Sequence, residues 1–259
     1  MRANHVKQKL QSGGSSIGTF MFEFATTGIG RLAAEAGVEF AIYDMEHTGW
    51  SVETIRMLIA TTRATAVVPM VRIPATEYDF VSRVLDMGAM GIMIPMCESA
   101  AQAKKLVASA KYPPAGRRGA AFTIAHDDYT AGDIVEKIQT ANRETLLIAQ
   151  IETQAGLNQV DEIAAVEGID VLWIGHFDLS NSLGIPGQFQ HPLFQDAVAK
   201  VLAACQRFQK TAGFLASDIS GGQALLDQGF RILAYGGDLW LYPAALRAGF
   251  DGLRSHRSS

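Results

Sequence analysis

Cysteine is scarce: the 259 residues hold two, Cys97 and Cys205. They lie far apart, outside any C-x-x-C or histidine-rich cluster, which excludes a zinc knuckle and a dithiol redox motif. Two buried thiols in a reducing compartment are the plain reading. Positive charge is also thin. Lys and Arg total 22 against 26 Asp and Glu, and Arg117-Arg118 is the nearest thing to a patch. Phosphate backbones need concentrated positive charge, so nucleic acid is excluded as a partner. There is no run of about 18 apolar residues to cross a membrane as a helix. The opening MRANHVKQKLQSGGSS has no apolar core of a secretory signal, so a cytoplasmic protein is expected. No G-x-x-x-x-G-K-[ST] occurs, which removes the P-loop.

What is present is alternation. Short apolar runs recur at Ile17–Phe24, Phe40–Tyr43, Val67–Val71, Gly91–Pro95, Leu146–Ile151, Val171–Ile174, Gly213–Leu215 and Ile232–Tyr235. Most lack polar alternation, as strands buried on both faces do. Helical stretches separate them: Ser51–Arg63, Thr76–Met87, Ser99–Ala110, Leu157–Val166, Pro192–Gln209, Gly221–Gln228 and Leu239–Ala248. Ser51 suits an N-cap. Gly37, Gly88, Gly168 and Gly229 stand just before the next strand, where helices end in a left-handed residue. Eight strand units joined by crossover helices predict one closed (β/α)8 barrel over 1–259. Residues 1–15 read as a polar N-terminal extension and 251–259 as a C-terminal tail. Tyr112–Asp133 is the longest irregular stretch, and a loop of that length is usually functional.

Active sites of such barrels sit at the C-terminal ends of the strands. Asp44, Glu46 and His47 follow the second run, Arg72 the third, Gln150 and Glu152 the fifth, and Asp178 the sixth. Singly, each has an ordinary reading. His47 suits a structural histidine, Arg72 an ion-pair partner of Asp44 or Glu46, and Glu152 and Asp178 rim charges. Together they point into one mouth, where a metal, an arginine and a histidine would stabilise an enolate and move a proton. Two carboxylates without a neighbouring thiol suit a hard divalent cation: Mg²⁺, Mn²⁺ or Co²⁺. The eight lysines (Lys7, Lys9, Lys104, Lys105, Lys111, Lys137, Lys200, Lys210) avoid the strand ends, which argues against a Schiff-base nucleophile. Gly28-Ile29-Gly30-Arg31-Leu32-Ala33 matches a dinucleotide fingerprint. Ala25-Thr26-Thr27 separates it from the strand, so it reads as a helix start with small residues, and no nucleotide is expected.

Six segments carry a resemblance. They are Tyr43-Asp44-Met45-Glu46-His47, Val71-Arg72-Ile73-Pro74, Leu85-Asp86-Met87-Gly88-Ala89, Tyr112-Pro113-Pro114-Ala115-Gly116-Arg117-Arg118-Gly119, Gln150-Ile151-Glu152-Thr153 and Ile174-Gly175-His176-Phe177-Asp178-Leu179-Ser180. In this order, from about Ile17 to Leu246, the chain resembles the HpcH/HpaI class II pyruvate aldolases. The citrate-lyase β-subunit group is more distant. The resemblance implies a (β/α)8 barrel whose C-terminal helix is swapped between subunits of a dimer, with dimers also assembling as hexamers. It implies Glu152 and Asp178 as metal ligands and Gln150 as their support. Arg72 would hold the keto oxygen, and Gly175, Phe177 and Asp178 would hold the substrate carboxylate. His47 would be the base, oriented by Asp44 and acting through a metal-bound water. Asp86 would be an acid reaching a neighbouring subunit's site. The implied reaction cleaves a 4-hydroxy-2-oxo acid, of the 2-keto-3-deoxy sugar acid type, to pyruvate and an aldehyde through a metal-stabilised enolate. Rivals are other enolate chemistry, such as oxaloacetate decarboxylation, and a CoA-ester lyase, which would need a basic CoA groove. The family's usual Gly-Pro-x-Asp reads Gly175-His176-Phe177-Asp178 here, which bears on the carboxylate and acceptor pockets. Leu215 and Phe20 are expected to line the acceptor side.

Overall fold

The computed structural model describes residues 2–256. Its strands are β1 (Ser16–Met21), β2 (Phe40–Asp44), β3 (Val68–Arg72), β4 (Gly91–Ile94), β5 (Leu146–Ile151), β6 (Val171–Ile174), β7 (Thr211–Ala216) and β8 (Ile232–Gly237). Each pairs in parallel with the next, and β8 closes on β1. All eight predicted runs are strands, and the barrel is the (β/α)8 type expected. Side chains alternate between two cores, as the period of two dictates. Phe40, Ile42, Val68, Met70, Met93, Ile148 and Trp173 fill the barrel interior. Ala41, Tyr43, Val71, Ile92, Leu147 and Leu172 face the surrounding helices.

The helices are α1 (His5–Gln11), α2 (Ile29–Glu35), α3 (Val52–Thr62), α4 (Tyr78–Asp86), α5 (Ala100–Ala110), α6 (Ile134–Glu144), α7 (Gln154–Asn158), α8 (Val160–Ala164), α9 (His176–Ser182), α10 (Pro192–Arg207), α11 (Ile219–Asp227) and α12 (Asp238–His256). Ser51 and Ser99 accept from Thr54 N and Gln102 N and so cap α3 and α5. Gly37, Gly88, Gly168 and Gly229 all have positive φ, 79° to 103°, where only glycine sits without strain. The predicted helix at 157–166 is two short ones, α7 and α8, meeting at Gln159.

The N-terminal segment is more than a polar extension. Val6 and Leu10 of α1 are buried and join the barrel-interior cluster. Asn4 donates its backbone N–H to Glu144 Oε2 at 2.8 Å, and Lys7 pairs with Asp170 at 2.9 Å. α1 thereby closes the N-terminal end of the barrel. At the other terminus, α12 continues through the predicted tail to His256, and residues 257–259 lie outside the described residues. α12 packs on β8 and β1. Leu246, Phe250 and Leu253 along it are exposed. Beside its start runs an apolar groove of about 600 Å³, lined by Ile17, Met21, Phe24, Ile29, Leu32 and Val38 among others.

In the dinucleotide-like run, Gly30 serves helix packing, while a Cβ on Gly28 would meet nothing within 4 Å. A Cβ on Gly30 would sit 2.5 Å from Thr62 Oγ1, so Gly30 lets α2 lie close on α3.

Candidate active site

At the C-terminal ends of the strands lies a cavity of about 630 Å³. His47, Arg72, Gln150, Gly175, Phe177, Asp178, Leu215 and Phe20 line it, whereas Asp44 and Glu152 do not. Gln150 and Trp173 are register partners on β5 and β6. Gln150 and Glu152 are two apart, so both turn inward at the barrel rim.

Asp44 and Arg72 are register partners at the ends of β2 and β3. Arg72 Nε donates to Asp44 Oδ1 at 2.5 Å, and Nη1 lies 3.2 Å from Glu46 Oε2. The guanidinium stands over the Phe20 ring, 5.2 Å from its centroid. Aromatic faces attract such a cation. Arg72 and Asp44 are both buried. Breaking one side of such a pair strands a charge, at about 3–5 kcal/mol.

Asp44 has a second task. Its Oδ1 accepts from Glu46 N at 3.2 Å and its Oδ2 from His47 N at 2.9 Å. Thr48 Oγ1 closes the same turn on Asp44 O at 2.6 Å. Asp44 therefore fixes the main chain that presents His47, while the group facing the imidazole is Glu46, with Oε2 3.6 Å from His47 Nε2. Burial holds the Glu46 carboxyl above the usual range, against the pull of Arg72 and His47.

Glu152 is held from two sides. Its Oε1 accepts from Met96 N at 2.6 Å and its Oε2 from Gln150 Nε2 at 2.5 Å. Met96 takes a positive φ of 49° to aim that amide. Burial pushes the Glu152 carboxyl up to about 7, with Glu46 and Asp178 adding like charge against the Met96 hydrogen bond and Arg72. A Cβ on Gly175 would lie 2.2 Å from Glu152 Oε2 and 2.6 Å from Gln150 Nε2. Only glycine lets the end of β6 lie against this carboxylate. Among the described residues, no three His, Cys, Asp or Glu side chains form a metal cage. Glu152, crowded by negative neighbours, and Asp178 on α9 instead fit a hard divalent ion held by one or two carboxylates, substrate and waters. Gln150 Oε1 is buried without a hydrogen-bond partner, a free acceptor beside them.

His176 stands first in α9, a position that proline also favours. Its ring stacks on Phe214 at 5.0 Å and contacts Phe177 at 4.4 Å and Phe189 at 5.1 Å. Burial pushes it down to about 4, so the imidazole is a neutral aromatic wall.

Asp86 is not gathered into this cavity. It ends α4, which leads into the N-terminal end of β4, and it pairs with Arg118 at 2.6 Å. The long 112–133 loop joins α5 to α6 at that same end. There Asp127 accepts from Thr123 N and Ile124 N and pairs with Lys137 at 2.6 Å. The residues missed in sequence are Met96 and the aromatic lining: Phe22, Trp50, Trp173 and Trp240. Phe22 stacks on Phe20 at 5.4 Å and meets Trp240 edge-on at 5.2 Å. Their position beside strand ends was the available signal. Asp238, at the start of α12, accepts from Phe22 N, Glu23 N and Phe24 N and fixes this wall.

A family model described as HpcH/HpaI aldolase/citrate lyase matches residues 26–245. The chain is similar to a hydroxypyruvate/pyruvate aldolase of Roseobacter denitrificans, 35% identical over 236 residues, 91% of each chain. It is similar to a 2-keto-3-deoxy-L-rhamnonate aldolase of Salmonella gallinarum, 33% identical over 94% of this chain and 91% of that one. The crystal structure of an HpcH/HpaI aldolase from Desulfitobacterium hafniense superposes with a TM-score of 0.92 at 34% identity, covering 96% of both chains. The barrel, the mouth and these likenesses agree: the chain belongs to the HpcH/HpaI aldolase/citrate lyase family.

Proposed function

We propose that this protein reversibly cleaves a 4-hydroxy-2-oxo acid, of the 2-keto-3-deoxy sugar acid type, to pyruvate and an aldehyde. That it is an aldolase, a carbon–carbon lyase, follows from the family and its aldolase relatives. One observation carries the reading: His47, Arg72, Gln150 and Asp178 line one cavity, and Glu152 is buried behind it, accepting from Gln150 Nε2.

Arg72 has its Nε committed to Asp44, which aims its remaining N–H groups at a substrate keto oxygen. It supplies positive charge where the enolate oxygen develops. The first-turn amides of α9, from His176 to Asp178, suit the substrate carboxylate, while the Gly175 amide is spent on Ile151 O. In cleavage a base takes the 4-hydroxyl proton, the C3–C4 bond breaks, and its electron pair forms the pyruvate enolate as the aldehyde leaves. His47, with its side chain half exposed to the cavity, is the proton carrier, and reprotonation at C3 completes pyruvate. Glu152 and Asp178 would hold a divalent cation (Mg²⁺, Mn²⁺ or Co²⁺), which supplies Lewis-acid stabilisation of the enolate oxygen. Leu215 and Phe20 form the acceptor wall.

The reading extends to assembly. The exposed apolar stripe of α12 and the apolar groove beside β1 support exchange of this helix between subunits, giving a homodimer or a hexamer of three dimers. In such an assembly Asp86 would serve a neighbouring subunit's cavity. The unpaired buried cysteines support a reducing, cytoplasmic setting. No described helix is long and apolar enough to cross a membrane.

The deciding experiment is proton NMR of pyruvate in D₂O with the purified protein. Loss of the methyl signal is expected, and release of an aldehyde together with pyruvate from a 2-keto-3-deoxy acid. Absence of exchange with every divalent metal would reduce the reading to fold alone.

A further inference from the structure

Two carboxylates flank His47 in sequence, and the geometry divides their work. Every acceptor contact of Asp44 is spent elsewhere: Arg72 Nε and Glu46 N on Oδ1, and His47 N on Oδ2. None goes to the imidazole. Glu46 is the reverse case. Its side chain is only 18% exposed, and its Oε2 lies 3.2 Å from Arg72 Nη1 and 3.6 Å from His47 Nε2. That oxygen is buried and accepts no well-formed hydrogen bond. A buried carboxylate oxygen left in this state costs free energy until a donor closes on it. Beside Arg72, the donor that faces it is the His47 ring, whose side chain is 55% exposed. Catalytic hydrogen bonds are often long before substrate binds and tighten afterwards.

We propose that Glu46 positions the His47 imidazole by accepting its Nε2–H, which leaves Nδ1 as the proton acceptor. The inference rests on the aldolase reading above. The proton passes from pyruvate C3 to His47 Nδ1, the C–H electron pair becomes the C2–C3 double bond of the enolate, and the Nε2–H stays with the ring, donated to Glu46. Glu46 takes no proton and touches no substrate. By holding Arg72 and His47 at once, it keeps the base and the enolate-stabilising cation in register.

The test compares Glu46→Ala and Glu46→Gln with the wild type in pyruvate methyl exchange. Loss of an outer hydrogen-bond partner typically costs 10- to 100-fold. Glu46→Ala is expected to slow exchange by about that factor, with KM for pyruvate within about twofold. Glu46→Gln, which keeps an acceptor oxygen, should recover most of the loss. Wild-type exchange in Glu46→Ala, or a loss lying wholly in KM, would overturn the proposal. A second measurement needs no variant. The ¹⁵N spectrum of histidine-labelled wild type should show His47 protonated at Nε2 and bare at Nδ1, and the opposite tautomer refutes the assignment. A wild type that exchanges no deuterium would count against the aldolase reading itself, and the ring spectrum would still decide for or against Glu46.

Discussion

Arg72 reaches across from the end of β3 to its register partner on β2, Asp44, and donates Nε–H to it at 2.5 Å. One carboxylate thereby fixes both the cation and, through the His47 amide, the turn that carries the base. Asp44→Ala should strand the Arg72 charge and loosen that turn together. Destabilisation of about 3–5 kcal/mol is expected, with pyruvate exchange near background. Urea denaturation followed beside the exchange assay measures both, and a variant as stable as the wild type would contradict the buried-pair account.

Gly175 is the tightest spacer of the cavity. In Gly175→Ala the new methyl meets Glu152 Oε2, so the carboxylate must move. Misplacement near 1 Å at a reacting centre costs on the order of 100-fold. Exchange should fall by about that factor while the thermal midpoint shifts by no more than a few degrees.

Chelation tests the acidic pair. Excess EDTA should abolish methyl exchange, and added Mg²⁺, Mn²⁺ or Co²⁺ should restore it. Glu152→Gln removes the charge and is expected to lose the metal response. Full activity in EDTA would remove a cation from the reading.

Lys111 is buried beside Lys7, donating Nζ–H to Asn142 O at 2.5 Å and Thr145 O at 2.9 Å. Burial, with Lys7 adding repulsion, lowers its amine from 10.5 to about 7. Between these values the unfolded chain keeps a proton that the folded chain has shed, so stability from this group rises with pH across that window. Below about 7 both states are charged and the cost is constant. Urea midpoints taken from pH 7 to 10 should climb more steeply for the wild type than for Lys111→Met. Parallel curves would place the amine at its ordinary value.

Helix exchange predicts that charge on the exposed stripe of α12 is disruptive. Phe250→Glu should reduce the mass seen by light scattering from an oligomer toward a single chain. An unchanged mass would move the subunit contact elsewhere.

All eight strands were legible because residues buried on both faces leave uninterrupted apolar runs. The helix ends were legible where glycine takes positive φ. α6 escaped because Ile134 and Val135 are exposed and its buried residues are Lys137, Ala141 and Glu144, so no apolar inward stripe marks it. α1 escaped because two buried apolar residues in seven make too short a period to see. α12 outran its expected end at Ala248: Gly249 and Gly252, residues of low helix propensity, are both helical here. The line of strand-end acids and bases was readable because barrels place such residues in one mouth. That Glu46, rather than Asp44, faces the His47 ring was not readable, since it depends on which carboxylate the backbone turn consumes.

The seal made by α1 also bears on how the molecule comes into being. Asn4 and Lys7 find their partners 140 and 163 positions further along, at Glu144 and Asp170. During synthesis α1 must therefore wait, unanchored, until Glu144 and Asp170 have emerged. Contacts of such long sequence separation form late and slow folding. A segment made ahead of the whole barrel is among the last to settle, and removing α1 should delay barrel closure before it touches the chemistry at the far end.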